Sequence, residues 1–312
     1  MNIAITGANG FLGTELVAVC QNIFDKVFAI VRSSHCSFND NVETIVYDDI
    51  NGKTNWEEKL RDLDVLVHTA ARVHVLSERE SDPIAAFREV NTKGTLVLAK
   101  AAASSGVKRF VFISSIKVHG EENENLEPFS ENEHLYPVDP YGISKLEAEQ
   151  QLIRIGKETG MEVVIIRPPL IYGPGVKANF RSMINWVQRS WPIPFGKVTT
   201  KRSFVSLDNM VDFVVCCAQH PRAAGEQFLI SDQSDLSISQ LLRMLGEAME
   251  KKVFLFPIPI YVLKFTARIL GRKDLATKLL GNLQVDSSKA TRLLGWTPKV
   301  NVKQGLQKTV NH

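Results

Sequence analysis

The chain opens on a short β-branched run, residues 2–6, that ends directly on the turn Gly7-Ala8-Asn9-Gly10-Phe11-Leu12-Gly13 and continues into a helical stretch. That strand–turn–helix start constrains the fold more than any other feature. Glycines let a backbone approach a pyrophosphate closely, and the following helix N-terminus presents free amides to it. The spacing is G-x-x-G-x-x-G rather than the commoner G-x-G-x-x-G, so its position after a first strand carries the argument. The rest of the first half keeps the pattern. Strands are expected over 2–6, 27–31, 44–47, 65–69, 109–114 and 163–167, and helices over 11–21, 83–104 and 141–158. Strands as continuously apolar as Phe110-Val111-Phe112-Ile113 belong in a parallel sheet covered on both faces.

The expected class is therefore α/β, a Rossmann-type doubly wound parallel sheet with a smaller interleaved C-terminal lobe. After Arg167 the texture changes, because Pro168, Pro169, Pro174, Pro192 and Pro194 cut the chain into short pieces. One more strand is expected over 227–230. The division that follows is a dinucleotide-binding domain over 1–167, its sheet completed by about 204–232, and a substrate-binding lobe over 168–203 and 233–312.

Bulk properties exclude more than they assign. A net charge of +3 over 312 residues gives no footprint for nucleic acid. Cys20, Cys36, Cys216 and Cys217 lack metal-ligand spacing, so no metal is expected and reduced thiols of a cytoplasmic protein are. Met1 leads straight into a strand, which argues against a signal peptide. The most apolar late stretch, 253–270, holds Pro257, Pro259, Lys264 and Arg268 and suits a membrane span poorly. A buried or partner-facing segment is expected there, with a surface-docking helix as the other reading.

Two positions carry chemistry. Tyr141 and Lys145 stand at i and i+4 of an expected helix and share a face. A cation beside a phenol lowers its pKa and makes it a usable proton donor and acceptor. At the end of the second strand, where an acidic residue would select NAD, the chain reads Ile30-Val31-Arg32-Ser33. Arg32 with Ser33 suits a 2′-phosphate, so NADP(H) is favoured and NAD(H) remains the alternative. Asp49-Ile50, after the third strand, is placed near the adenine. His68 and His119 fall at strand ends, where packing alone explains them. Asn91 is disfavoured mid-helix and is expected to meet a backbone group or water near the site.

Taken together, these residues resemble the extended short-chain dehydrogenase/reductase family, in its nucleotide-sugar epimerase, dehydratase and reductase branch. The resemblance runs through the glycine turn, His68-Thr69-Ala70-Ala71, Asn91-Thr92-Lys93-Gly94-Thr95, Ser114-Ser115-Ile116-Lys117-Val118-His119-Gly120, Tyr141 to Lys145 and Arg167-Pro168-Pro169-Leu170-Ile171-Tyr172-Gly173-Pro174. It closes on Asp286-Ser287-Ser288-Lys289-Ala290 and Leu294-Gly295-Trp296. It implies Ser115 as catalytic hydroxyl, Tyr141 as acid/base and Lys145 as the ribose-binding cation. Cofactor contacts are implied at Gly7, Asn9, Gly10, Phe11, Leu12, Gly13, Arg32, Ser33, Asp49, Ile50, Thr69, Ala70, Ala71, Asn91, Ile113, Tyr141, Lys145 and Pro168. Substrate contacts are implied at Lys117, Asn179, Phe180, Phe195 and Arg202, the last as a phosphate fork. A second phosphate-binding arginine is common in this branch, but 276–285 offers only Lys278.

The resemblance also narrows the reaction. Dehydratases of the branch carry an Asp-Glu pair after the catalytic hydroxyl, and Ile116-Lys117 stands there instead. Two reactions at carbon 4 of a UDP-sugar remain. Reduction of a UDP-4-keto-6-deoxy-N-acetylhexosamine in surface polysaccharide synthesis is favoured by Arg32 and by Leu170, which replaces a sugar-contacting Asn of hexose 4-epimerases. UDP-hexose 4-epimerisation is the alternative, and a non-catalytic NADP-binding regulator the remote one. The resemblance further implies a homodimer through the helices around 90–103 and 146–155.

Overall fold

The computed structural model describes residues 1–33, 38–56, 59–73, 82–123, 127–271 and 273–311, the side chains of 273–275 excepted; Cys36 lies outside them. The first half alternates as expected: β1 (Asn2–Thr6), α1 (Phe11–Cys20), β2 (Lys26–Val31), β3 (Val42–Val46) and β4 (Val65–His68). Helix was expected without a break over 83–104. Instead α2 (Pro83–Phe87) runs into a π-helical stretch, Arg88–Gly94, before α3 (Thr95–Ser104). The wide turn carries Asn91, whose side chain bonds the Arg72 backbone at 2.8 Å and 3.0 Å and Ser144 Oγ at 3.0 Å. Its last residue, Gly94, lies so close to Ile50 that a Cβ would come within 2.6 Å of that side chain.

Then follow β5 (Arg109–Ile113), α4 (Pro140–Thr159), β6 (Glu162–Arg167), β7 (Leu170–Tyr172), α5 (Ala178–Gln188), β8 (Lys201–Arg202) and β9 (Phe204–Ser206). The remainder comprises α6 (Leu207–Gln219), β10 (Gln227–Leu229), β11 (Leu236–Ser237), α7 (Ile238–Ala248), α8 (Ile260–Ile269), α9 (Lys273–Leu280), α10 (Ser288–Leu294) and α11 (Val302–Val310). Asp139 caps α4 by accepting from Gly142 N at 2.6 Å, and Pro140 fits the first turn.

Seven strands form one sheet in the order β10-β6-β5-β4-β1-β2-β3 with every pair parallel. Of the stretch 204–232 expected to complete it, only β10 joins; β9 pairs with β7 in a separate ribbon, and β8 with β11 in another. Strand parity divides the core. Ile3, Ile5, Val27 and Ala29 face one layer with α1, α6 and α10, while Ala4, Ile30, Leu66 and Phe110 face the other with α3 and α4. A third apolar cluster joins Phe180 and Ile184 of α5 to Leu241, Leu242 and Leu245 of α7 and Leu306 of α11.

The chain runs outward from β1 to β3 and then returns to place β4 on the other side of β1. A crevice opens at that reversal, beyond the carboxyl ends of the strands. No helix among the described residues is long and apolar enough to cross a membrane.

Candidate active site

The glycine turn sits at this reversal. Gly7 takes φ +67°, and a Cβ on it would lie 2.9 Å from the Ala70 backbone; one on Gly13 would lie 2.1 Å from the Gly7 carbonyl. Only glycine allows α1 to start this close to β1. A cavity of about 750 Å³ follows the strand ends. Its lining brings together Gly7, Asn9, Gly10, Phe11, Leu12 and Gly13 with Arg32, Asp49, Ile50, Thr69, Ala70 and Ala71. Ile113, Tyr141, Lys145 and Pro168 close its far end. Ser33 and Asn91, expected as cofactor contacts, are not in that lining. Asn91 is 1% exposed because its amide is spent on pinning the chain after β4 to α4.

Sequence reasoning missed several members of the wall, Tyr47, Arg72, Val90 and Ser114 among them. Ser114 is buried in it, and its Oγ finds no hydrogen-bond partner among the described residues. An unsatisfied hydroxyl at an open cavity fits a polar ligand, and the cavity's shape along a glycine turn fits a dinucleotide.

Ser115 ends the strand–loop step after β5, and Tyr141 opens α4. Both line this cavity and a second one that adjoins it, and Ser115 lies near enough to act on the Tyr141 phenol. Lys145, one turn along α4 and 2% exposed, donates from Nζ to the Ile113 carbonyl at 2.8 Å and lies 4.4 Å from the Phe112 ring centroid. Burial draws its pKa down to about 7, against the opposing charge of Glu149. The Tyr141 phenol is not lowered as the sequence led us to expect. Burial and then the Asp139 carboxylate push it above the ordinary tyrosine value, and only Ser115 works the other way. The Lys145 ammonium is itself penalised by burial and committed to a backbone carbonyl, so the free protein holds the phenol protonated.

Both histidines are structural, as read from the sequence. His68 bridges Thr6 Oγ1 (2.7 Å) and Thr95 Oγ1 (2.9 Å), and burial, with the charge of Lys145, lowers its pKa to about 3. His119 meets Arg167 Nη1 at 3.1 Å and is lowered to about 3 by burial and then by that guanidinium. Arg167 in turn forms a fully buried fork onto Glu149, at 3.1 and 2.7 Å, tying β6 to the underside of α4.

A second cavity, about 580 Å³, meets the first at Ser115, Tyr141 and Pro169, which line both. Lys117, Asn179 and Arg202 are in its lining. Lys117 pairs with Asp139 and, at 3.4 Å, with Glu121. Arg202 directs Nη1 to the carbonyls of Gly281 (3.1 Å) and Thr277 (3.4 Å).

Two expected substrate contacts are corrected. The Phe180 side chain is 1% exposed and stacks on Tyr172 at 5.5 Å inside the lobe's core, so its ring is closed to a ligand. Phe195 packs against Trp186 at 6.0 Å and is absent from the cavity lining. The wall they were expected to supply comes instead from Met183, Phe204, Ile238, Leu241, Leu279 and Leu283. Leu170 is in the lining, 40% exposed, and so is Lys278 on the same cavity as Arg202.

Residues 3–231 match the NAD dependent epimerase/dehydratase family. The chain is 44% identical over 311 residues to a UDP-glucose 4-epimerase of Vibrio cholerae, covering 99% of this chain and 94% of that one. It is 25% identical over 325 residues to an N-acetyl-α-D-glucosaminyl-diphospho-ditrans,octacis-undecaprenol 4-epimerase of Escherichia coli O157:H7, covering 100% and 95%. The crystal structure of a UDP-glucose 4-epimerase from Thermotoga maritima with UDP-glucose superposes with a TM-score of 0.78 at 26% identity, covering 100% of this chain and 98% of that chain. With a dinucleotide-shaped crevice, a Ser–Tyr pair where two cavities meet and relatives matched end to end, the chain belongs to the NAD dependent epimerase/dehydratase family of the extended short-chain dehydrogenases/reductases, enzymes that act on nucleotide sugars.

Proposed function

We propose that this protein is a 4-epimerase of a UDP-linked hexose or 2-acetamidohexose. The observation that carries reaction at a carbinol carbon is the Ser115–Tyr141 pair at the junction of the two cavities. The 44% identity with a UDP-glucose 4-epimerase along nearly the whole chain favours epimerisation over the other reactions of the family. In this reading residues 1–167 hold the cofactor, and 168–203 with 233–312 hold the sugar nucleotide.

A bound nicotinamide dinucleotide would take and return the hydride at carbon 4. The phenol proton would first leave to solvent, as the positive nicotinamide of the bound cofactor and Lys145 favour the phenolate; Tyr141 would then accept the 4-hydroxyl proton as the carbonyl forms and return it on reduction. Ser115 would donate a hydrogen bond to the same oxygen as its charge rises. Lys145, anchored on the Ile113 carbonyl, would position the ribose and balance charge on the phenol. Arg202 and Lys278 would face the diphosphate and Asn179 would orient it, while the apolar wall from α5, α7 and α9 would exclude water.

Reduction of a UDP-4-keto-6-deoxy-N-acetylhexosamine is the second reading, favoured by two observations. Arg32, rather than a carboxylate, lines the cofactor cavity after β2, which suits a released NADP(H). Leu170 presents an apolar side chain to the sugar cavity. The purified protein, given UDP-glucose, UDP-N-acetylglucosamine and the keto sugar while NADPH absorbance is followed, decides between them. Interconversion of two sugars without net oxidation supports epimerisation, and NADPH loss with the keto sugar alone supports reduction. Turnover of none of the three would sink both. A homodimer through α3 and α4 belongs to this proposal, and a monomer in light scattering would remove it.

A further inference from the structure

Of the readings given for 253–270, a buried segment is excluded and an exposed, partner- or surface-facing one stands: half of the stretch is on the surface. Helix α8 has an inner face, Ile260, Leu263 and Ala267, packed on the lobe's core. Its opposite face is equally apolar. Tyr261, Phe265 and Ile269 point outward there, and with Phe254, Phe256 and Leu270 they are 52–72% exposed. Residues 254–256 pair with Ile193 through backbone bonds of 2.9 and 2.8 Å, and Trp191, half exposed, stands two residues before Ile193. Scattered exposed apolar residues need no explanation, but a contiguous aromatic face on one helix marks a surface that binds something.

Charge selects what it binds. From 251 to 273 the sequence contains Lys251, Lys252, Lys264, Arg268, Arg272 and Lys273 and no Asp or Glu. Lys251, Lys252, Lys264 and Arg268 are exposed. Lys264 and Arg268, four residues apart, form a row along one flank of α8, between its two faces. A second copy is a poor occupant, because a two-fold contact sets the same patch against itself and would bring like charges together. An anionic bilayer takes aromatic and aliphatic side chains into its headgroup boundary while long basic side chains reach the phosphates, with no complementary shape required.

We propose that α8 and the 254–256 segment are a docking face for the surface of an anionic phospholipid membrane, bound from one side without spanning it. Helix α8 packs against α9, whose Lys278 and Leu279 line the 580 Å³ cavity. Docking therefore sets that cavity beside the headgroup layer.

The test is flotation of the full-length protein with vesicles of phosphatidylcholine alone or phosphatidylcholine with phosphatidylglycerol, at low and high salt. Capture by the anionic vesicles, weakened by salt, is expected. Phe265→Glu combined with Ile269→Glu should cut the bound fraction about 10-fold at unchanged melting temperature. Lys264→Glu with Arg268→Glu should erase the preference for anionic lipid and leave the fold intact. Failure to float with either vesicle, or undiminished binding in both variants, overturns the proposal. So does a wild-type dimer that becomes a monomer in the Phe265→Glu/Ile269→Glu protein without any lipid capture, since the occupant is then a second copy.

Discussion

The two cavities that meet at Tyr141 are built by opposite means. The larger is a property of the sheet: each strand of a parallel array ends at the same edge, and the residues just past β1, β2, β4 and β5 line it in order. Backbone geometry does most of the work, through Gly7 and Gly13. The smaller is a property of packing: α5, α7 and α9 each lend two or three side chains, mostly apolar, around Lys117, Arg202 and Lys278. A binding site made from strand ends follows from topology, whereas one made between helices follows from how those helices pack.

Tyr141 belongs to both cavities, and its removal should have the largest effect. Tyr141→Phe is expected to lower turnover by about 10²–10⁴-fold, the usual worth of a positioned acid/base, with cofactor affinity nearly unchanged. Steady-state kinetics beside cofactor titration measures this. Comparable activity in the variant would leave the cavities meeting at a residue without chemistry.

Beneath each cavity lies a neutral histidine, His68 under the larger and His119 beside the smaller. In the unfolded chain both protonate near 6.5, whereas burial holds them to about 3 in the fold. The unfolded state therefore binds more protons between those values. Their contribution is complete above pH 6.5 and drains away as pH falls toward 3, at about 1.4 kcal/mol per pH unit for each ring. Urea unfolding at pH 7, 6 and 5 should show a loss approaching ~3 kcal/mol per unit below pH 6. His68→Gln and His119→Gln should each halve that slope. A flat profile would mean that protons reach the rings without unfolding.

The smaller cavity is the place to sharpen the contrast. Its lining holds Lys278 as well as Arg202. Arg202→Ala and Lys278→Ala should each raise KM for the UDP-sugar about 10- to 100-fold, in line with losing one charge-assisted contact, and change kcat less. A fall in kcat at constant KM would move either residue from binding to chemistry.

How much could be read from the chain follows the same division. The sheet, the glycine turn and the Ser115–Tyr141–Lys145 grouping were legible because strand ends and helix faces keep fixed relations to local sequence. The apolar wall was not: Ile238 and Leu279 stand far apart in sequence, and nothing local marks either as facing a cavity. Phe180 and Phe195 were misplaced for the same reason, as aromatic residues in a motif whose rings the lobe's core absorbed. The π turn at Arg88–Gly94 escaped because that stretch has a single apolar residue, Val90, and so no periodicity that could reveal a wider turn. Helix α8 was left between burial and a partner- or surface-facing role because apolar stretches usually end inside, and this one has a core on one face only.

The smallest effect tests the most exposed part of the larger cavity. Arg32 lies in its lining with Tyr47 and Asp49, so one cation and one carboxylate stand near the expected adenosine end. If the guanidinium holds a 2′-phosphate, Arg32→Asp removes a charge-assisted contact and adds a carboxylate suited to ribose hydroxyls. The ratio of NADP(H) to NAD(H) affinity should then fall about 10-fold or more, read by fluorescence titration with each dinucleotide. Asp49→Asn gives the opposite control and should leave the ratio the same or raise it. An unchanged ratio in Arg32→Asp would make Arg32 a solvated surface charge and leave cofactor choice to Asp49, and the larger cavity would then owe its selectivity to a loop rather than to a strand end.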